Sequence, residues 1–183
     1  MKTLYLIRHA KSGWNQPDTM DFERALSKKG KKDLNTIGSY LALRDVQPDI
    51  ILSSCALRAQ QTTDILAKKI GFEGVRYYLK ELYLTSIEEI KEIVMAQSNE
   101  IENIFLVGHN PQLHELANSI LDEHLNKFPT LGIVSIKLDI EDWAEIEDVK
   151  GKLEFFIFPK QFKYYMPRNI RIIETVQKSV SIG

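Results

Sequence analysis

The sequence predicts an α/β fold, a three-layer wound and mostly parallel sheet with helices on both faces, and three observations carry that prediction. Apolar runs of strand length lack the alternation of a half-exposed sheet, as strands buried on both faces do. Helix-period stretches separate them, so strand and helix alternate, the pattern of right-handed crossovers. At 183 residues the chain has the length of one domain, with neither an internal repeat nor a low-complexity linker.

Taken in order, residues 3–7 (TLYLI) form the first strand. Ser27 opens a helix whose buried stripe is Leu34, Ile37 and Leu41, and residues 49–53 (DIILS) return as the second strand. Thr62, Ile65, Leu66 and Ile70 mark a helix ending at Gly71, and Ile87, Ile90, Ile93 and Val94 mark another. Residues 103–107 (NIFLV) give the next central strand. After it, Asn110 is placed to cap and Pro111 to begin a helix carrying Leu113, Leu116, Ala117, Ile120 and Leu121. Runs at 133–138 and 152–158 read as strands that complete an edge.

Composition excludes several functions. With 24 Lys and Arg against 25 Asp and Glu, the net charge of −1 gives no global pull toward nucleic acid or an anionic membrane, so neither is expected as a partner. No apolar run approaches the roughly 20 residues that span a bilayer. A single Cys cannot form an internal disulfide, and Arg8 arrives too early for a secretory apolar core, so a cytoplasmic protein is expected. Charge is nonetheless segregated: residues 139–148 hold six acids and no base, whereas residues 159–183 hold five bases and one acid. Lys160, Lys163, Arg168 and Arg171 alternate with Phe162, Tyr164 and Tyr165, a pattern also found in nucleic-acid strips, but the reading preferred here is an arm packed on the body.

Ligands of open parallel sheets bind beyond the carboxyl ends of the strands, and three strands deliver anion-binding chemistry there. The first ends in Arg8-His9-Ala10-Lys11-Ser12, the second in Ser53-Ser54 with Arg58 one turn into the next helix, the third in Gly108-His109-Asn110-Pro111. One His after one strand is usually structural; Arg-His, Arg and Gly-His at three strand ends together are not. Two imidazoles, two guanidinium groups and a helix N-terminus suit a doubly charged, multi-oxygen anion such as phosphate. A neutral imidazole can take a phosphoryl group covalently, and the neighbouring positive charge keeps it neutral. No metal is expected: His pairs at ligand spacing are missing and Arg8 would repel a cation. No cofactor is called for, because phosphoryl transfer needs mainly positioning and charge. His114 and His124 are read as packing or surface residues.

The motifs Leu4-Tyr5-Leu6-Ile7-Arg8-His9-Ala10, Ser53-Ser54-x-Ala56-x-Arg58-Ala59-x-Gln61-Thr62 and Val107-Gly108-His109-Asn110 resemble the histidine phosphatase superfamily, with its phosphoglycerate-mutase-like fold. The resemblance is closest to SixA-type phosphohistidine phosphatases, through Asp21-x-x-Arg24-x-Leu26-Ser27-x-x-Gly30, Pro48-Asp49-x-Ile51-Leu52-Ser53-Ser54 and Gly108-His109-Asn110-Pro111-x-Leu113. It implies a catalytic domain over residues 1–158, with 159–183 an extension packed on it. It further implies that His9 accepts the phosphoryl group, that Arg8, Arg58 and His109 bind it, and that Arg24 completes the pocket. Glu81 falls about where other branches carry a general acid, although Leu82-Tyr83 follows it instead of Arg; Asp18, Asp21 and Glu23 are rivals. Segments after the second and third strands leave no length for a large cap insertion, so the pocket is expected to be open to a phosphorylated protein, with a small phosphate ester as the alternative substrate and a non-catalytic phosphoprotein-binding module as a further one. The sequence does not set the oligomeric state; a monomer is compatible with it.

Overall fold

The structure, a computed structural model, describes residues 1–14 and 17–165. Eleven regular elements follow one another: β1 (Lys2–Arg8), α1 (Lys28–Leu43), β2 (Ile50–Ser54), α2 (Leu57–Ile70), β3 (Val75–Leu79), α3 (Ile87–Met95), β4 (Asn103–Gly108), α4 (Gln112–Ile120), β5 (Ile133–Leu138), β6 (Lys152–Ile157) and α5 (Pro159–Tyr165). The strands form one sheet in the order β3-β2-β4-β1-β5-β6. β1 to β4 run parallel, whereas β5 and β6 are antiparallel additions at one edge. The fold is therefore the expected mixed α/β sheet of a phosphoglycerate-mutase-like protein, without a large insertion.

Strand period separates two cores. Leu4, Leu6, Ile104 and Leu106 face α3 and α4, while Tyr5, Ile7, Phe105 and Val107 face α1 and α2. Each such side chain contributes about 1.5–3 kcal/mol on burial, which is why the central strands read as continuous apolar runs. Helix boundaries follow local chemistry. Ser27 accepts a hydrogen bond from Gly30 N at the start of α1, Ser86 and Glu89 form a capping box on α3, and Gly71 ends α2 at φ 68°. Asn110, expected to cap α4, does not: its Nδ2 donates to Phe128 O at 2.9 Å, so Pro111 stands at the helix start without a side-chain cap.

The acidic stretch is a 3-10 turn at Trp143–Glu147 that buries Trp143 and Ile146. Trp143 Nε1 donates to Ile101 O at 2.9 Å, so the apolar residues of this turn close the core while most of its carboxylates face solvent. In α5, Phe162 packs on Tyr40 of α1 with ring centroids 5.0 Å apart. The remainder of the basic arm, including Arg168 and Arg171, lies outside the described residues. No helix among the described residues is long and apolar enough to cross a membrane.

Candidate active site

Because β4 lies between β2 and β1, the carboxyl ends of these three neighbours meet at one place. Arg8 is in register with Gly108, and His9 N donates to Gly108 O at 3.1 Å. These ends open into a cleft of about 530 Å³ lined by Arg8, His9, Arg24, Arg58 and His109, the residues expected from sequence to share one phosphate pocket.

His9 is 7% exposed. Its Nδ1 lies 2.8 Å from Ala10 O, which can only accept, so Nδ1 carries the proton and Nε2 keeps its lone pair. That lone pair faces Arg58, whose Nε donates to it at 3.3 Å. Burial, joined by the charges of Arg58, Arg8 and Arg24, outweighs the Ala10 hydrogen bond and lowers the His9 pKa to about 4. His109 is arranged alike: Nε2 is 2.8 Å from Ser54 Oγ and Nδ1 is 3.4 Å from Arg58 Nη2. Burial first, then His9 and Arg58, brings its pKa to about 3. Both imidazoles are thus neutral near pH 7, with ring centroids 5.2 Å apart.

Arg58, only 5% exposed, stands one residue into α2 and joins the parts. Thr62 Oγ donates to Arg58 O at 2.7 Å and accepts from Ala10 N at 3.0 Å, fixing the helix against the loop after β1. Arg8 donates through Nη1 to Phe128 O at 2.9 Å, while its buried Nε has no partner among the described residues and remains a donor for an anion. Burial lowers the Arg8 pKa.

The Asp21–Gly30 motif has a mechanical explanation. Leu26 N donates to Gln61 Oε1 at 2.8 Å, Ser27 N donates to Lys11 O at 2.9 Å, and a Cβ at Gly30 would collide with that same Lys11 carbonyl. The motif therefore pins the loop so that Asp21 and Arg24 enter the cleft. Arg24 Nε donates to Asp21 Oδ1 at 3.0 Å, and its guanidinium lies 4.5 Å from the Trp14 ring centroid. A Cβ at Gly108 would meet Leu113 at ordinary contact distance, so packing within the protein leaves room for a side chain there.

Glu81 is not brought to the site. It is exposed on the 3-10 turn Lys80–Leu82 and does not line the cleft; Tyr83, two residues on, does. Asp18 and Glu23 are also exposed, so Asp21 is the carboxylate of the long loop that reaches the guanidinium groups. Tyr83 was missed from sequence, although the signal was present: it sits in the Leu82-Tyr83 departure that weakened the case for Glu81. Its hydroxyl donates to Asp21 Oδ2 at 2.9 Å, and its ring meets His109 edge-on at 5.7 Å. His114 hydrogen-bonds Leu125 O at 2.6 Å and His124 is exposed, so neither reaches the cleft. Among the described residues, no three His, Cys, Asp or Glu side chains group to hold a metal ion.

Comparison with known proteins gives this geometry a context. The structure assigned to the phosphohistidine phosphatase SixA of Agrobacterium tumefaciens is 30% identical, with a TM-score of 0.74 over 85% of this chain and 97% of its own. A protein histidine phosphatase SixA solved with tungstate shares the fold at a TM-score of 0.75 and 21% identity, over 87% of this chain and 99% of its own. An uncharacterized chloroplastic protein of Arabidopsis thaliana is 28% identical over 171 residues, 86% of this chain and 78% of its own. The model of the histidine phosphatase superfamily (branch 1) matches residues 4–100, more than half the chain, and the chain belongs to that superfamily.

Proposed function

We propose that this protein is a metal-independent phosphatase that removes the phosphoryl group from phosphohistidine on proteins through a covalent His9 intermediate. The observation that carries this reading is the His9 tautomer: Nδ1–H is committed to Ala10 O, and the Nε2 lone pair faces the guanidinium that would hold the phosphoryl group. Nε2 attacks phosphorus, the bond to the leaving nitrogen breaks, and water then cleaves the phosphoenzyme. Arg58 and the free Arg8 Nε stabilise the equatorial oxygens, and His109 meets the same group.

The surface around the cleft supports a protein substrate. Trp14, Met20, Phe22 and Leu84 are large, apolar and 37–81% exposed. Each adjoins the cleft: Trp14 stacks on Arg24, Met20 precedes Asp21, Phe22 meets Tyr83 at 5.0 Å, and Leu84 lines the opening. Such a patch is wasted on a small polar metabolite and suits a protein surface carrying the phosphorylated side chain. The name of the Agrobacterium relative points the same way. The buried, unpaired Cys55 accords with a reducing, cytoplasmic setting.

A broad phosphomonoesterase is the second reading. It is favoured by the Asp21 carboxylate in the cleft, because alkoxide leaving groups need an acid more than imidazole does. Hydrolysis of 4-nitrophenyl phosphate with chelator present tests the chemistry. We expect turnover that falls at least about 10³-fold in His9→Ala; no turnover refutes the phosphatase, and turnover surviving the substitution refutes the nucleophile. Parallel assays of a phosphohistidine protein and sugar phosphates separate the two readings.

A further inference from the structure

Arg58 has no idle nitrogen. Its Nε donates to His9, its Nη1 to Asp21 O at 2.6 Å, and its Nη2 to Asp21 Oδ2 at 3.1 Å with His109 alongside. Arg24 likewise gives its Nε to Asp21 Oδ1, and Tyr83 gives its hydroxyl to Oδ2. The Asp21 carboxylate therefore takes donors that a phosphoryl group needs. His9 and His109 are built into the strand ends, but the Asp21 side chain sits on a short 3-10 turn and is 43% exposed, so it is the partner that can yield.

We propose that Asp21 is a substrate-displaced carboxyl group: it holds the guanidinium groups in the free enzyme, gives them up to the phosphoryl group, and then handles the proton of the leaving atom. The proposal rests on the phosphatase reading above, singles out Asp21 from the rival loop acids and ties its protonation to substrate binding. Arg58 reaches His9 through Nε and Asp21 through Nη2, so a phosphoryl group seated on this guanidinium would adjoin both the nucleophile and the carboxyl.

The electrostatics link the two states. In the free enzyme burial raises the Asp21 pKa, but the Tyr83 hydrogen bond and the charges of Arg58 and Arg24 prevail and keep it ionised. The titratable groups facing it are these three with His109, His9 and Arg8 behind them. A phosphoryl dianion neutralises the guanidinium groups and repels the displaced carboxylate, which favours taking up a proton. As His9 Nε2 bonds to phosphorus and the P–X bond breaks, that proton passes to X and Asp21 is ionised again. Water then attacks phosphorus, its proton goes to Asp21, and the P–N electron pair returns to Nε2. Binding the substrate thus loads the acid.

The test compares Asp21→Asn with the parent protein in two assays. First, kcat/KM is measured across phosphate esters of graded leaving-group basicity, from 4-nitrophenol to a simple alkanol. We expect the alkyl ester to lose at least about 10²-fold more than the nitrophenyl ester. Second, tungstate affinity is measured, and we expect it to tighten about threefold or more, since a competing anion has gone. An equal loss on every ester, or weaker tungstate binding, shows that Asp21 only positions Arg58 and overturns the proposal. Alkyl-ester turnover lost in Glu81→Gln in place of Asp21→Asn also overturns it. If the parent turns over no ester, the phosphatase reading fails by itself, and the tungstate result still decides whether Asp21 competes with the anion.

Discussion

Two neutral imidazoles buried beside three guanidinium groups should make the fold sensitive to acid over a defined range. The folded pKa values are about 4 for His9 and about 3 for His109, against 6.5 for an unhindered imidazole. Below pH 6.5 the unfolded chain binds protons that the folded site refuses, so stability rises with pH in this window. The stabilising contribution is complete above about pH 6.5 and is lost as pH falls toward the folded values. Between pH 7.5 and 5 each imidazole contributes a loss of about 2 kcal/mol, and the pair about 4, at 1.36 kcal/mol per pH unit. Asp21, whose folded pKa is depressed, is ionised in both states across this interval and adds little. Urea unfolding in phosphate-free buffer at the two pH values measures this directly. His9→Asn keeps a donor for Ala10 O and removes one titration, so the loss should halve whatever the variant's absolute stability. Parent and variant curves that run parallel from pH 7.5 to 5 would refute the claim that the site holds His9 neutral by burial and positive charge.

Two further outcomes follow from the surroundings of the site. Gly30→Ala drives a methyl into the Lys11 carbonyl; it should cost about 1–3 kcal/mol by thermal unfolding and should weaken tungstate binding as the Asp21–Arg24 loop shifts. Trp14→Ser with Leu84→Ser should raise KM for a phosphohistidine protein while leaving KM for 4-nitrophenyl phosphate unchanged; equal effects on both would refute a protein-docking rim.

The fold was legible where burial dictates residue type. β1, β2 and β4 read as apolar runs because helices cover both faces, and their ends marked Arg8, His9, Ser54 and His109 without any structure. β3 was less legible because it is an edge strand, largely exposed, whose Val75, Tyr77 and Tyr78 face solvent. What sequence could not reveal was competition among side chains for the same partner. Asn110 had the chemistry of a cap, but the Phe128 carbonyl, which also receives Arg8, claimed its amide. Glu81 had the position of an acid, but the 3-10 turn at 80–82 presents it to water and sends Tyr83 inward. Asp21 was one of three loop acids of equal standing until Gln61, Ser27 and Gly30 were seen to hold the loop against the pocket.

The insertion of β4 between β2 and β1 also constrains how the molecule can be made. β1 has to wait for a partner about 100 residues downstream, so its register with β4 is a contact of long sequence separation and high loop-closure cost. Until β4 emerges from the ribosome and slots in, β1, which leads into His9, and β2, which leads into the helix of Arg58, have no strand joining them, and His109 has not been synthesised. A nascent chain therefore lacks the strand that aligns the ends of β1 and β2, and the complete cleft waits for the closing of the sheet.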